Sequence, residues 1–161
     1  MIMVQVKQVD SFLLAGLSFF GDPFHTHAGW TEANEIGRLW KRLMNNKKQS
    51  QPTMYEVHIQ HENSKLTGEF EVFVGFEVSD WSKTQPDLCL KVLPASLYAV
   101  FTFKGEALYQ DEALVDRWLE AEGYKTGHPY FIQRFDQRFK GIDRLDQSEL
   151  DFLVPIIALE S

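Results

Sequence analysis

The chain has 161 residues, 44% hydrophobic and 24% charged, which is enough for one domain with a sizeable core and too little for a second functional domain. A formal charge of −7 with scattered lysines and arginines excludes a phosphate-binding nucleic-acid face and favours neutral or cationic ligands. The single cysteine, Cys89, excludes an internal disulfide and fits a reducing compartment, so a cytoplasmic setting is expected.

Two strand-like stretches open the chain, Ile2 to Gln8 and Phe12 to Phe20, broken by Asp10 and Ser11. The apolar run of the second follows an acid rather than a basic leader and is too short to span a bilayer, so neither a signal peptide nor a membrane span is expected. After the loop "GDPFHTHAGW", Thr31 is expected to cap a helix whose apolar stripe is Ile36, Leu39, Trp40, Leu43 and Met44. His25 and His27, even with Asp22, His58 and His61, form no tight ligand cluster, and no glycine-rich phosphate loop is present. Neither a metal nor a nucleotide cofactor is expected.

Next come "TMYEVHIQ" and "GEFEVFVGFEV", alternating stretches joined by a polar connection with Gly68 and read as a hairpin. "LCLKVLP" and "SLYAVFTFKG" follow as another extended pair. A second helix is expected from about Tyr109 to Glu122, with Leu114, Val115, Trp118 and Leu119 inward and Gly123 as its stop. "PYFIQRFD" and "ELDFLVPIIAL" close the chain as strands. Within the first of these, Phe131, Gln133 and Phe135 share one face, so an amide lies between two rings. Either that face is partly wet, or it lines a concave site where a polar group meets the amide.

Strand, helix, strand, strand therefore recurs, over about residues 11–78 and 96–159. "ANEIGRLWKRLM" parallels "EALVDRWLEAEG", and "GEFEVFVGFEV" parallels "SELDFLVPIIAL". The expected fold is a single α+β domain of two pseudo-twofold-related units, with antiparallel sheets, both main helices on one side and a central groove where the halves meet.

The stretches "MYEVHIQHENSKLTGEFEVFVGFEV", "LPASLYAVFTFKG", "VDRWL" and "RFDQRF" followed by "SELDFLVPI" together resemble the GyrI-like, or bacterial effector-binding, domain, and the middle portion is most similar to its stand-alone, integron-associated branch. The resemblance implies a groove for small molecules, often lipophilic aromatic cations. In multidomain relatives this module is the sensor of a transcription regulator fused to a helix-turn-helix. The sequence offers no such element ahead of its first strand and reads as a detached sensor. The resemblance also implies a glutamate in the penultimate strand, which falls on Gln133 here, and an acidic-x-aromatic pair in the last strand, which falls on Asp151 and Leu153. The helix aromatic falls on Trp118.

With an amide at Gln133, a groove acid must come from elsewhere, and Glu56 or Asp151 are the candidates; each is otherwise an ordinary member of a charged strand face. Trp40 and Trp118 lie at core spacing, Trp30 and Trp81 lie in loops where a rim is natural, and Phe73 and Phe101 can stack on a planar ligand. The candidate ligand-binding set is thus Gln133, Phe131, Phe135, Asp151, Leu153, Trp118, Glu56, Trp30, Trp40, Phe73 and Phe101. The expected function is binding of small lipophilic aromatic or cationic effectors, without direct nucleic-acid or membrane contact. Two alternatives stand beside it: a protein-interaction modulator with gyrase or a regulator as partner, and a hydrolase of reactive drug-like compounds. The amide at Gln133, which accepts no proton at neutral pH, counts against catalysis.

Overall fold

The computed structural model describes residues 3–25, 27–29, 31–46, 53–105 and 113–160. Strands β1 (Met3–Val9) and β2 (Phe12–Gly21) open it. Helix α1 (Glu35–Asn46) is capped by Asn34 rather than Thr31: the Gly37 N–H donates to Asn34 Oδ1 at 3.0 Å and the Arg38 N–H to its carbonyl at 3.1 Å. The Asn34 amide also donates to the carbonyls of His27 and Gly29, at 3.1 and 2.9 Å, so one buried side chain both starts the helix and pins the preceding loop. Thr31 closes only a local turn, its hydroxyl accepting from the Ala33 N–H at 3.1 Å.

Strands β3 (Met54–Ile59) and β4 (Phe70–Glu77) form the expected hairpin, its connection wound into one helical turn, α2 (Ser64–Thr67). Strands β5 (Cys89–Leu93) and β6 (Ser96–Lys104) follow, then helix α3 (Ala113–Glu122), which ends at Gly123 with φ +79°; positions 109–112 of the expected helix lie outside the described residues. A short strand β7 (Tyr124–Thr126) precedes β8 (Tyr130–Phe135) and β9 (Glu149–Ala158). No described helix is long and apolar enough to cross a membrane.

The nine strands of the described residues belong to one antiparallel sheet in the order β1-β6-β9-β8-β3-β4-β2-β5, with β7 alongside β9. The inner six strands form a palindrome: β6-β9-β8 of the second unit meets β3-β4-β2 of the first at the β8–β3 seam. The outer strands are exchanged. β1, which leads into the first unit, pairs with β6 of the second, and β5, which leads into the second, pairs with β2 of the first. The two strands read as an extended pair, β5 and β6, are thus not partners at all. Because only Asp10 and Ser11 separate β1 from β2, a span of about 11 Å at most, the far ends of the sheet must approach each other and the sheet curls. Phe12 and Tyr98, from opposite ends, accordingly meet with ring centroids 6.2 Å apart.

The curl encloses one core, where Leu14, Tyr55, Val57, Phe73, Val100, Ile132 and Leu153 pack on the face away from the helices. On the other face α1 packs through Ile36, Leu39 and Leu43 on Leu17, Val72 and Val74, while α3 packs through Leu119 on Ala99, Phe101, Phe103 and Val154. The helices cover the two flanks of that face and leave the seam between them.

Candidate functional site

At the seam, β3 and β8 run antiparallel in a register that sets Glu56 against Gln133, His58 against Phe131 and Met54 against Phe135. Alternation places all six side chains on the helix-bearing face. Glu56 is a carboxylate only 4% exposed. Its Oε1 accepts from the Trp40 Nε1–H of α1 at 2.6 Å, and its Oε2 lies 2.7 Å from His58 Nε2. A buried charge held by two donors is costly unless something answers it, which marks Glu56 as more than a surface acid.

Aromatic rings surround this carboxylate. His58 lies between Phe131 and Phe70, with centroids at 4.7 and 5.3 Å, Phe131 stacks on Phe152 at 4.5 Å, and Phe135 meets Trp40 edge-on at 5.6 Å. Phe70, Phe131, Phe135, Phe152 and Trp40 are half-buried, so each keeps some ring surface open. Gln133 completes the floor. Its Oε1 is buried and finds no donor among the described residues, an unanswered acceptor one strand away from the acid.

The sequence-derived set therefore divides. Glu56, Gln133, Phe131, Phe135 and Trp40 come together. Phe101 and Trp118 lie on the same face of the sheet but pack with each other at 5.4 Å, and Trp118 stacks on Tyr124 at 6.0 Å, which places both in the α3 flank. Asp151, Leu153 and Phe73 leave the groove. In the β8–β9 register Phe152, not Asp151 or Leu153, stands opposite Gln133, so its two neighbours in β9 point to the other face. Leu153 and Phe73 are both fully buried in the enclosed core. Trp30 lies outside the described residues.

Asp151 has a different role on that opposite face. Arg134 and Arg138 each reach it at 2.7 Å and the Thr102 hydroxyl at 2.8 Å, tying β6, β8 and β9 together. Burial alone would raise its carboxyl, but the donors Arg138, Arg134 and Thr102 outweigh it and hold the group below the usual aspartate range. Its charge is thus answered within the protein by two arginines and a hydroxyl.

Sequence reasoning left out His58, Phe70 and Phe152. The sharing of a strand face by Glu56 and His58 was legible from their spacing of two. Phe152 could be found only from the β8–β9 register.

Solved structures share this architecture. The C-terminal domain of EcmrR superposes with a TM-score of 0.69 at 13% identity, covering 98% of this chain and 99% of that one. SAV2435 bound to tetraphenylphosphonium superposes with a TM-score of 0.66 at 13% identity, covering 96% and 94%. At such identities the likeness is one of fold. In sequence, the transcriptional regulator BrlR of Pseudomonas aeruginosa is 29% identical over 164 residues, which span 94% of this chain but only 54% of the regulator. The profile of one family matches residues 5–156, nearly the whole chain, and with the duplicated fold and its central seam in place the protein belongs to the integron-associated effector binding protein family, Cass2.

Proposed function

We propose that the groove over the β8–β3 seam binds lipophilic aromatic cations, with Glu56 as the counter-charge, and that the protein serves as an intracellular sensing or sequestering module. The observation that carries this reading is the buried Glu56 carboxylate ringed by half-buried aromatic side chains. A cation held over such rings gains about 0.5 to 2 kcal/mol per good face, and more against an unneutralised carboxylate in a dry site. SAV2435, which shares the fold, holds tetraphenylphosphonium, and BrlR, whose matched region is about half its length, is a transcriptional regulator; both fit a ligand-reading module.

The test is a titration with tetraphenylphosphonium beside the neutral triphenylphosphine oxide, followed by tryptophan fluorescence and thermal shift. Trp40, bonded to Glu56, is the tryptophan among four that reports on the acid. The cation is expected to raise the melting temperature and quench fluorescence, and Glu56→Gln, which keeps the shape and an acceptor for Trp40, should weaken its binding at least about tenfold while leaving the neutral compound unaffected. Equal binding of both compounds would remove the charge from the reading, and binding of neither would remove the groove as a site for this class.

A further inference from the structure

Each oxygen of Glu56 has one partner from the protein, and the two partners differ in kind. The indole N–H of Trp40 donates at 2.6 Å and never changes charge. The imidazole of His58, 2.7 Å from the other oxygen, is neutral or cationic according to pH. His58 is itself only 8% exposed and lies between the rings of Phe70 and Phe131. A protonated His58 is therefore a cation on Glu56 flanked by aromatic faces, the same chemistry that the proposed ligand would present.

We propose that His58 is a built-in competitor for the effector, so that cation binding at Glu56 is coupled to loss of a proton from His58. This rests on the cation-site reading above and adds its regulation. With His58 protonated, Glu56 is neutralised from within and the groove offers no net charge. With His58 neutral, donating its Nε2–H, the carboxylate keeps its full charge for the ligand. A cation arriving on Glu56 expels the imidazole proton to solvent, and a proton arriving on His58 expels the cation.

On the described parts of β8, β4 and α1 the other charged side chains are engaged elsewhere or exposed. From β8 come Phe131 and Gln133, and from β4 come Phe70, Val72 and Val74. The charged residues of those strands point the other way: Arg134 is bound to Asp151, Glu71 to His61 and Lys91, and Glu77 to Tyr55. On α1, Arg38 pairs with Glu35 and Lys41 with Glu32, and Arg42 is exposed. Glu56 and His58 are the ionisable pair that the β3 register places on this face.

Tetraphenylphosphonium is the suitable probe because its charge is permanent. Calorimetric titrations from pH 5 to 8.5, in two buffers of different protonation enthalpy, count the protons released. Affinity is expected to rise with pH, approaching tenfold per unit where His58 is protonated and levelling off above it, with up to one proton released per cation bound on the acid side. His58→Gln, which keeps an N–H donor for Glu56, should flatten the profile to within about twofold over that range. In the unaltered protein, NMR of the imidazole nitrogens should show His58 titrating at lower pH once the cation is bound, a readout that does not depend on any variant folding. An affinity independent of pH in the unaltered protein, or a slope that persists in His58→Gln, overturns the coupling while leaving the cation site intact. Failure of tetraphenylphosphonium to bind at any pH overturns both.

Discussion

Glu56 and Gln133 face each other across the seam, one an acid with both oxygens engaged, the other an amide with a buried acceptor unanswered. In the GyrI-like pattern, which this chain resembles, the acid is expected at the Gln133 position of β8. Here it stands on β3, the strand that the palindromic sheet order makes the counterpart of β8. The carboxylate at this seam thus lies on the strand that faces β8 across the pseudo-twofold axis. Restoring it at the original position has a definite consequence. In Gln133→Glu two carboxylates would stand on adjacent strands, and their repulsion destabilises the empty protein while a bound cation relieves it. The melting temperature of the variant without ligand should fall by a few degrees, and the upward shift produced by tetraphenylphosphonium should exceed that of the unaltered protein. Unchanged or weaker binding would place Gln133 outside the site.

At the level of strands, the groove depends on how tightly β2, β4 and β3 coil beneath α1. Gly16 of β2 and Gly75 of β4 are register partners, and a Cβ on Gly16 would lie 1.9 Å from the Val74 carbonyl oxygen. Backbone, not a movable side chain, occupies that space, so Gly16→Ala must push the strands apart and should lower stability by at least about 2 kcal/mol in urea unfolding. Gly123, the stop of α3, has a left-handed φ of +79° but open space around it, so Gly123→Ala should cost only about 1 kcal/mol. A reversed ranking would mean that the β2–β4 contact tolerates spreading. The alternation of β3 and β8 was readable from the sequence, and with it the shared face of Phe131, Gln133 and Phe135. The face of β9 was not. Asp151 is the more suggestive residue when the strand is read alone, and only its pairing with Arg134, Arg138 and Thr102 shows that its charge is already spent on structure.

For the molecule as a whole, the exchanged outer strands have a thermodynamic consequence. β1 leads in sequence into the first unit but pairs with the second, β5 leads into the second but pairs with the first, and the enclosed core draws on both units. Neither half can therefore unfold alone without uncovering the other. A single cooperative transition is expected: unfolding followed by tryptophan fluorescence and by far-ultraviolet circular dichroism should coincide. Separated midpoints would show that the halves are independently stable. The repeat itself was legible, since the two units share their order of elements and fragments of their sequence. The exchange was not, because β1 and β5 carry no signal naming a partner, and β7 is too short to announce itself.

By itself the sequence determined the main elements, the two-residue period that groups side chains on strand faces, the α+β duplication and the stock of acids and rings from which a groove could be built. All of these are local properties of the chain, set by side-chain spacing and by capping and turn residues. What only the tertiary structure decided was register: which strand lies beside which, and which face of each looks toward the helices. A shift of one residue turns every side chain of a strand to the other side, so which of Glu56 and Asp151 stands on the helix-bearing face rested on hydrogen bonds between strands distant in sequence. Those pairings bring Glu56 beneath Trp40 and beside His58, and close Asp151 within its arginines.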